Sequence, residues 1–190
     1  MAVAGTPVAA ENAPVTTDEM KDWSRIDIAD DDAMVAALLL AATAHVELVT
    51  GRTLLTATKY HYLTDWEYPI ELPEFPLASV TTIKYIDPDG VEQELAPALY
   101  DVDIAEEPGF VRLGYGDTWP TLRGDENGIT ITYVVGYGAA ADVPEGLKVA
   151  IKALTAHWYE HREAVVEGTF KEIPLAVETL LWNFRVTEAG

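Results

Sequence analysis

The chain has 190 residues, no cysteine, and 12 basic against 32 acidic residues, for a formal charge of −20. That length suits one domain with a sizeable hydrophobic core. The missing cysteines exclude disulfides, thiolate metal sites and Cys nucleophiles, and the charge excludes phosphate-backbone binding unless the few bases gather in one patch.

The opening "MAVAGTPVAAENAPVTT" has no basic n-region and no continuous apolar stretch, so residues 1–16 read as a flexible tail rather than a signal peptide. Residues 17–55 read as helical. "TTDEMKDWSRI" predicts a short helix capped by Thr16 or Thr17, with acids in its first turn. A long helix follows from about Asp31 to Thr50, opened by an aspartate run and stopped by Gly51. Leu38, Ala41, Ala42, Val46 and Val49 share its expected core face. Thr43, His45 and Glu47 interrupt the apolar run, so no membrane span is expected and the chain should be soluble and intracellular.

From Thr56 the hydrophobic period changes from 3.6 to 2, and residues 56–141 read as a β-rich insertion. "ATKYHYLTDW", "SVTTIKYI", "YDVDI", "GFVRL" and "GITITYVVG" are its strands, with "DPDG" (Asp87 to Gly90) as a hairpin turn. This segment carries 4 basic and 15 acidic residues, with no basic cluster. Residues 142–190 return to helix. Leu147, Ile151, Leu154 and Trp158 form one stripe, and Pro144 sits in the first turn. After the linker "AVVEGTFKEI", Pro174 opens a last helix, "PLAVETLLWNFR". The expected fold class is therefore α+β: a small helical bundle from both chain ends with a β-rich insertion, one structural domain overall.

One motif invites a catalytic reading. His157, Glu160 and His161 spell H-x-x-E-H, the inverted zinc-peptidase pattern, in which two imidazoles hold the metal and the carboxylate activates water. A zinc site needs a third protein ligand, and only 29 residues follow His161. At 100° per residue His161 lies about 40° and His157 about 80° from Leu147, on the flank of the core stripe. His161 and Arg162 also suit the negative end of a helix without any metal. No G-x-S-x-G, P-loop, dinucleotide-binding or calcium-loop pattern is present. No catalytic residue, metal or cofactor is expected.

The order of landmarks carries more than any single motif. "DDDAMVAALLLAATAHVELVTGRTL", "IELPEFPLASVTTIKYIDPDGVEQEL", "YDVD", "GYGDTWP", "ITITYVVGYG" and "VPEGLKVAIKALTAHWYEHRE" together resemble the head-tail connector, or adaptor, proteins of tailed bacteriophages and gene transfer agents, in the long form with a β insertion. The resemblance spans about residues 18–185 and implies a structural protein of the particle neck, made in the bacterial cytoplasm. It implies a homo-oligomeric ring of twelve under the portal protein, extending the DNA channel and docking a stopper or other next neck protein. DNA would pass without specific binding, and no membrane is involved. It also implies that a C-terminal segment docks on the portal, which makes Leu180, Leu181, Trp182, Phe184 and Arg185 the docking candidates. Of these, Leu180 and Leu181 could equally belong to the core. The glycine-containing linker further suggests that this segment can be removed from a domain that still folds. Two other readings stand beside the ring protein: a zinc-dependent hydrolase built on the histidine pair, and a non-catalytic β-type binding module.

Overall fold

A computed structural model describes residues 13–27, 29–161 and 175–185. Most of the expected N-terminal tail, Arg162, the linker and Pro174 lie outside the described residues. The chain divides into two compact units. A β unit spans Thr56–Tyr137, and a helical unit draws on Thr6–Leu55 and Gly138–Gly190.

Among the described residues the helical unit holds four α-helices: α1 (Thr17–Ser24), α2 (Asp32–Thr50), α3 (Glu145–Glu160) and α4 (Leu175–Trp182). Ala13 and Val15, within the expected tail, are buried. Helix α1 starts in a reciprocal cap: Glu19 N–H donates to Thr16 Oγ1 at 3.2 Å, and Thr16 N–H donates to Glu19 Oε2 at 2.8 Å. Those bonds favour the ionised carboxylate and hold Glu19 below its ordinary value of 4.5.

Helix α2 begins at Asp32 after a 3₁₀ turn, and it ends where Gly51 takes φ 72° and its N–H donates to the Glu47 carbonyl at 2.8 Å. Asp31 precedes it but makes no side-chain cap. Its Oδ2 instead accepts from the Tyr159 hydroxyl at 2.5 Å, tying the start of α2 to the end of α3. The buried face of α2 is Val35, Leu39, Ala42, Thr43, Val46 and Thr50. Ala42 and Val46 are as expected, but Ala41 is exposed and Leu38 and Val49 are only half-buried. The stripe is rotated because two threonines are tolerated inside it. Thr43 and Thr50 hydroxyls donate to the Leu39 and Val46 carbonyls at 2.8 and 2.7 Å, so neither buries an unsatisfied polar group.

By length and apolarity alone α2 is long enough to cross a membrane, a property that the core helix of a soluble protein shares. Its buried side chains and the edge-on His45–Trp158 ring contact at 6.2 Å give it the role of a core helix packed on α3. On α3, Leu147, Ile151, Leu154 and Trp158 are all buried as their spacing predicts.

The β unit has seven strands: β1 (Ala57–Leu63), β2 (Ile70–Leu72), β3 (Leu77–Ile86), β4 (Glu92–Glu94), β5 (Tyr100–Asp103), β6 (Gly109–Leu113) and β7 (Ile129–Val135). They form a four-stranded sheet in the order β1-β7-β3-β4 and a three-stranded sheet in the order β2-β6-β5, antiparallel throughout. Strand β7 alternates strictly, with Ile129, Ile131, Tyr133 and Val135 inward. These join Ile83, Leu77, Ile70, Leu72 and Val111 in one apolar core. The sheets meet closely at Gly109, where a Cβ would lie 2.5 Å from Leu77 Cδ2. Helices at both chain ends with antiparallel sheets between them make the fold α+β.

Trp66 and Trp119, 53 positions apart, stack with ring centres 4.5 Å apart and planes 5° from parallel. Trp66 Nε1 donates to the Pro120 carbonyl at 2.9 Å, and both rings pack on the β core. Nothing in the local sequence signals this pair.

Candidate functional site

The histidine pair stands at the C-terminal end of α3. Its rings are 4.6 Å apart, and His161 is the cap residue just past the helix. The His161 amide donates to the His157 carbonyl at 3.2 Å, and its ring Nδ1 lies 2.9 Å from the same oxygen. A ring nitrogen facing a carbonyl must carry the proton, so Nδ1 is committed to closing the helix. Glu160 is exposed, and among the described residues no three His, Asp or Glu side chains converge to hold a metal. The geometry is that of a helix terminus, and among the described residues neither a third ligand nor a positioned base joins the pair.

The five C-terminal candidates separate into two groups. Leu181 is 1% exposed, and Leu180 is half-buried. Phe184 lies against Gly146 at the start of α3: a Cβ there would come within 2.9 Å of the ring's Cε2 and Cζ and 3.8 Å of Leu180 Cδ1. Arg52 Nε donates to the Phe184 carbonyl at 2.7 Å. These contacts build α4 and the turn after it into the helical unit, so the segment is not the separable element that its linker suggests. Trp182 is 68% exposed, and the Arg185 guanidinium lies 5.5 Å from its ring centre. A flat aromatic and a planar cation are thus held side by side in solvent.

The β unit is acidic, with 15 carboxylates against 4 basic residues over residues 56–141. Each of its four basic residues already faces a carboxylate of the same unit. Lys59 meets Glu74 at 2.7 Å, Lys84 meets Glu92 at 2.7 Å, Arg123 meets Asp125 at 3.7 Å and Arg112 meets Asp103 at 3.9 Å. Burial pushes the His61 imidazole below its usual value, which keeps it neutral at pH 7. The remaining carboxylates set the field of the unit.

A shallow groove of about 420 Å³ lies on the three-stranded sheet, lined by Tyr68, Asp101, Asp103, Arg112 and Tyr115 among others. It has aromatic walls and a charged floor, but no nucleophile beside a base.

Comparison with known proteins points the same way as this geometry. The profile of the head completion protein family matches residues 14–185. No curated protein matches the sequence. Among solved structures, the chain is similar to one in the neck of the native gene transfer agent particle computed with C12 symmetry. There the TM-score is 0.76 and the identity 26%, covering 100% of this chain and 98% of that one. A chain in the neck of the empty particle, computed with C6 symmetry, gives 0.75 and 25%, and one in the virion of the native particle gives 0.77 and 25%, both with the same coverage. The match runs through both units, and the chain belongs to the head completion protein family, a structural component of the particle neck and not an enzyme.

Proposed function

We propose that this chain is a head-tail connector that assembles as a ring of twelve under the portal, extends the DNA channel and docks the next neck protein. The observation that carries this reading is the full-length likeness to neck chains whose particles were computed with C12 and C6 symmetry. A closed ring of identical subunits needs two different surfaces on each subunit, and a rotation between neighbours that closes. Two units of different composition supply such surfaces. An acidic wall suits the channel, because at about 8 Å screening length it repels DNA only near contact and does not retain the passing duplex.

Portal docking falls to the C-terminal segment. Trp182 and Arg185 are the exposed anchors, while Leu180, Leu181 and Phe184 hold α4 in the orientation that presents them. The test is electron microscopy of particle necks produced with the full-length chain, together with native mass of the chain bound to portal. A twelve-subunit ring adjoining the portal is expected. A single copy per neck, or particles that assemble normally without the chain, would overturn the reading.

A further inference from the structure

Resting on the ring reading above, we propose that strand β1 is the surface by which the β unit meets the neighbouring copy of this chain. Two independent observations converge on it: the state of the sheet edges and the distribution of charge.

The two sheets have four edge strands, β1, β4, β2 and β5. Strands β4 ("EQE"), β2 ("IEL") and β5 ("YDVD") are three, three and four residues long, and each carries at least one carboxylate. Short, charged edges are how sheets discourage another chain from adding to them. Strand β1 ("ATKYHYL") has seven residues, no carboxylate and no proline. Its register with β7 runs from Ala57 opposite Val135 to Leu63 opposite Ile129 without a shift, so no bulge twists the edge away. Among the described residues no strand pairs with its other side.

The outer face next to this edge is also distinctive. Tyr60 and Tyr62 are 45% and 46% exposed, and they sit opposite Thr132 and Thr130 of β7. Thr132 is followed across the sheet by Thr82 of β3. A unit with 15 carboxylates and 4 bases thus keeps acids out of both β1 and β7, and along the row from Tyr62 and Thr130 charge is first met at Lys84 of β3, which is paired with Glu92. Charge depletion with exposed tyrosine is the composition of an interface core.

The identity of the occupant follows from charge. A neighbouring copy brings another −20, so most faces of the β unit would set carboxylate against carboxylate. The unit's own bases cannot relieve this, being engaged with its own acids. A neutral face can lie against an acidic neighbour without that repulsion. The Tyr68 and Tyr115 groove is also aromatic, but its floor includes Asp101 and Asp103, so it does not suit a second acidic copy.

The experiment uses full-length chain with portal, read by native mass and by ring occupancy of particle necks. Tyr60→Asp with Tyr62→Asp should reduce ring assembly roughly tenfold or more, with unchanged circular dichroism, and high salt should recover part of it by screening the new charges. Tyr68→Asp with Tyr115→Asp, the matched change in the groove, should assemble as wild type. If the aspartate pair does not fold, Tyr60→Thr with Tyr62→Thr keeps strand propensity and should lower assembly in the same direction. Absence of a ring in the wild type would remove the ring reading and this inference together. A wild-type ring matched by a normal ring in the folded Tyr60 and Tyr62 variants would remove the inference alone. Normal rings that fail to recruit the next neck protein would assign β1 to that protein and likewise overturn the proposal.

Discussion

Leu181→Ala and Trp182→Ala change neighbouring residues on α4 and should fail in opposite ways. Leu181 is 1% exposed, so truncating it forfeits the transfer energy of three buried carbons and leaves a cavity, which in enclosed cores costs 2–5 kcal/mol. Helix α4 has only eight residues and can partly collapse into the gap, which favours the low end, about 2 kcal/mol. Trp182 is 68% exposed. Its loss removes modest packing and an exposed cation–π contact with Arg185, about 1 kcal/mol or less together. Portal affinity should reverse the ranking: Trp182→Ala should cost about 2 kcal/mol or more of binding, as expected for an aromatic anchor. Leu181→Ala should bind nearly normally where it remains folded. Urea unfolding of each variant, with portal binding measured well below its midpoint, separates the two effects. If Trp182→Ala binds portal at wild-type affinity, or destabilises as much as Leu181→Ala, the division of this segment into a packed half and a docking half is wrong. Deleting the whole segment is a poorer test, because the buried Val177 and Leu181 and the Phe184 contact on Gly146 go with it.

Replacing both His157 and His161 by alanine should leave particle assembly intact in a complementation assay and cost about 1 kcal/mol of stability, the bond from the His161 ring to the His157 carbonyl being the main loss. A folded double variant that loses all activity together with bound zinc would restore the hydrolase. In a mobility-shift titration at low salt, where electrostatic binding is strongest, the full chain should form no complex with duplex DNA; micromolar binding would contradict the acidic-channel argument. Thr16→Ala should destabilise by about 1 kcal/mol. Since Glu19 is held below 4.5 in the folded chain, its contribution is complete above that value and is lost as pH falls through the lower folded value. Glu19→Gln should therefore lessen the fall in stability on acidification, and an unchanged pH profile would show that the carboxylate contributes nothing there.

The sequence by itself determined most of the elements, because each rests on local physics, but not β2, whose three residues are too few to show a period. The change of period at Thr56 marks the β unit, the Leu147 to Trp158 stripe marks the buried side of α3, and Gly51 ends α2 since it alone takes φ 72° there without strain. Net charge likewise set the expectation against phosphate-backbone binding, and the order of landmarks pointed to the family. Tertiary structure decided what depends on residues distant in sequence. The buried face of α2 turned on threonines whose hydroxyls are satisfied by their own helix, which an apolar count cannot register. The meaning of H-x-x-E-H depended on whether a third ligand converged on the pair. The stacking of Trp66 on Trp119 and the split between Leu181 and Trp182 followed from which faces met other elements. Adjacent positions on a helix point about 100° apart, so composition can nominate an apolar segment while only the packing of α4 reveals which of its side chains stay exposed.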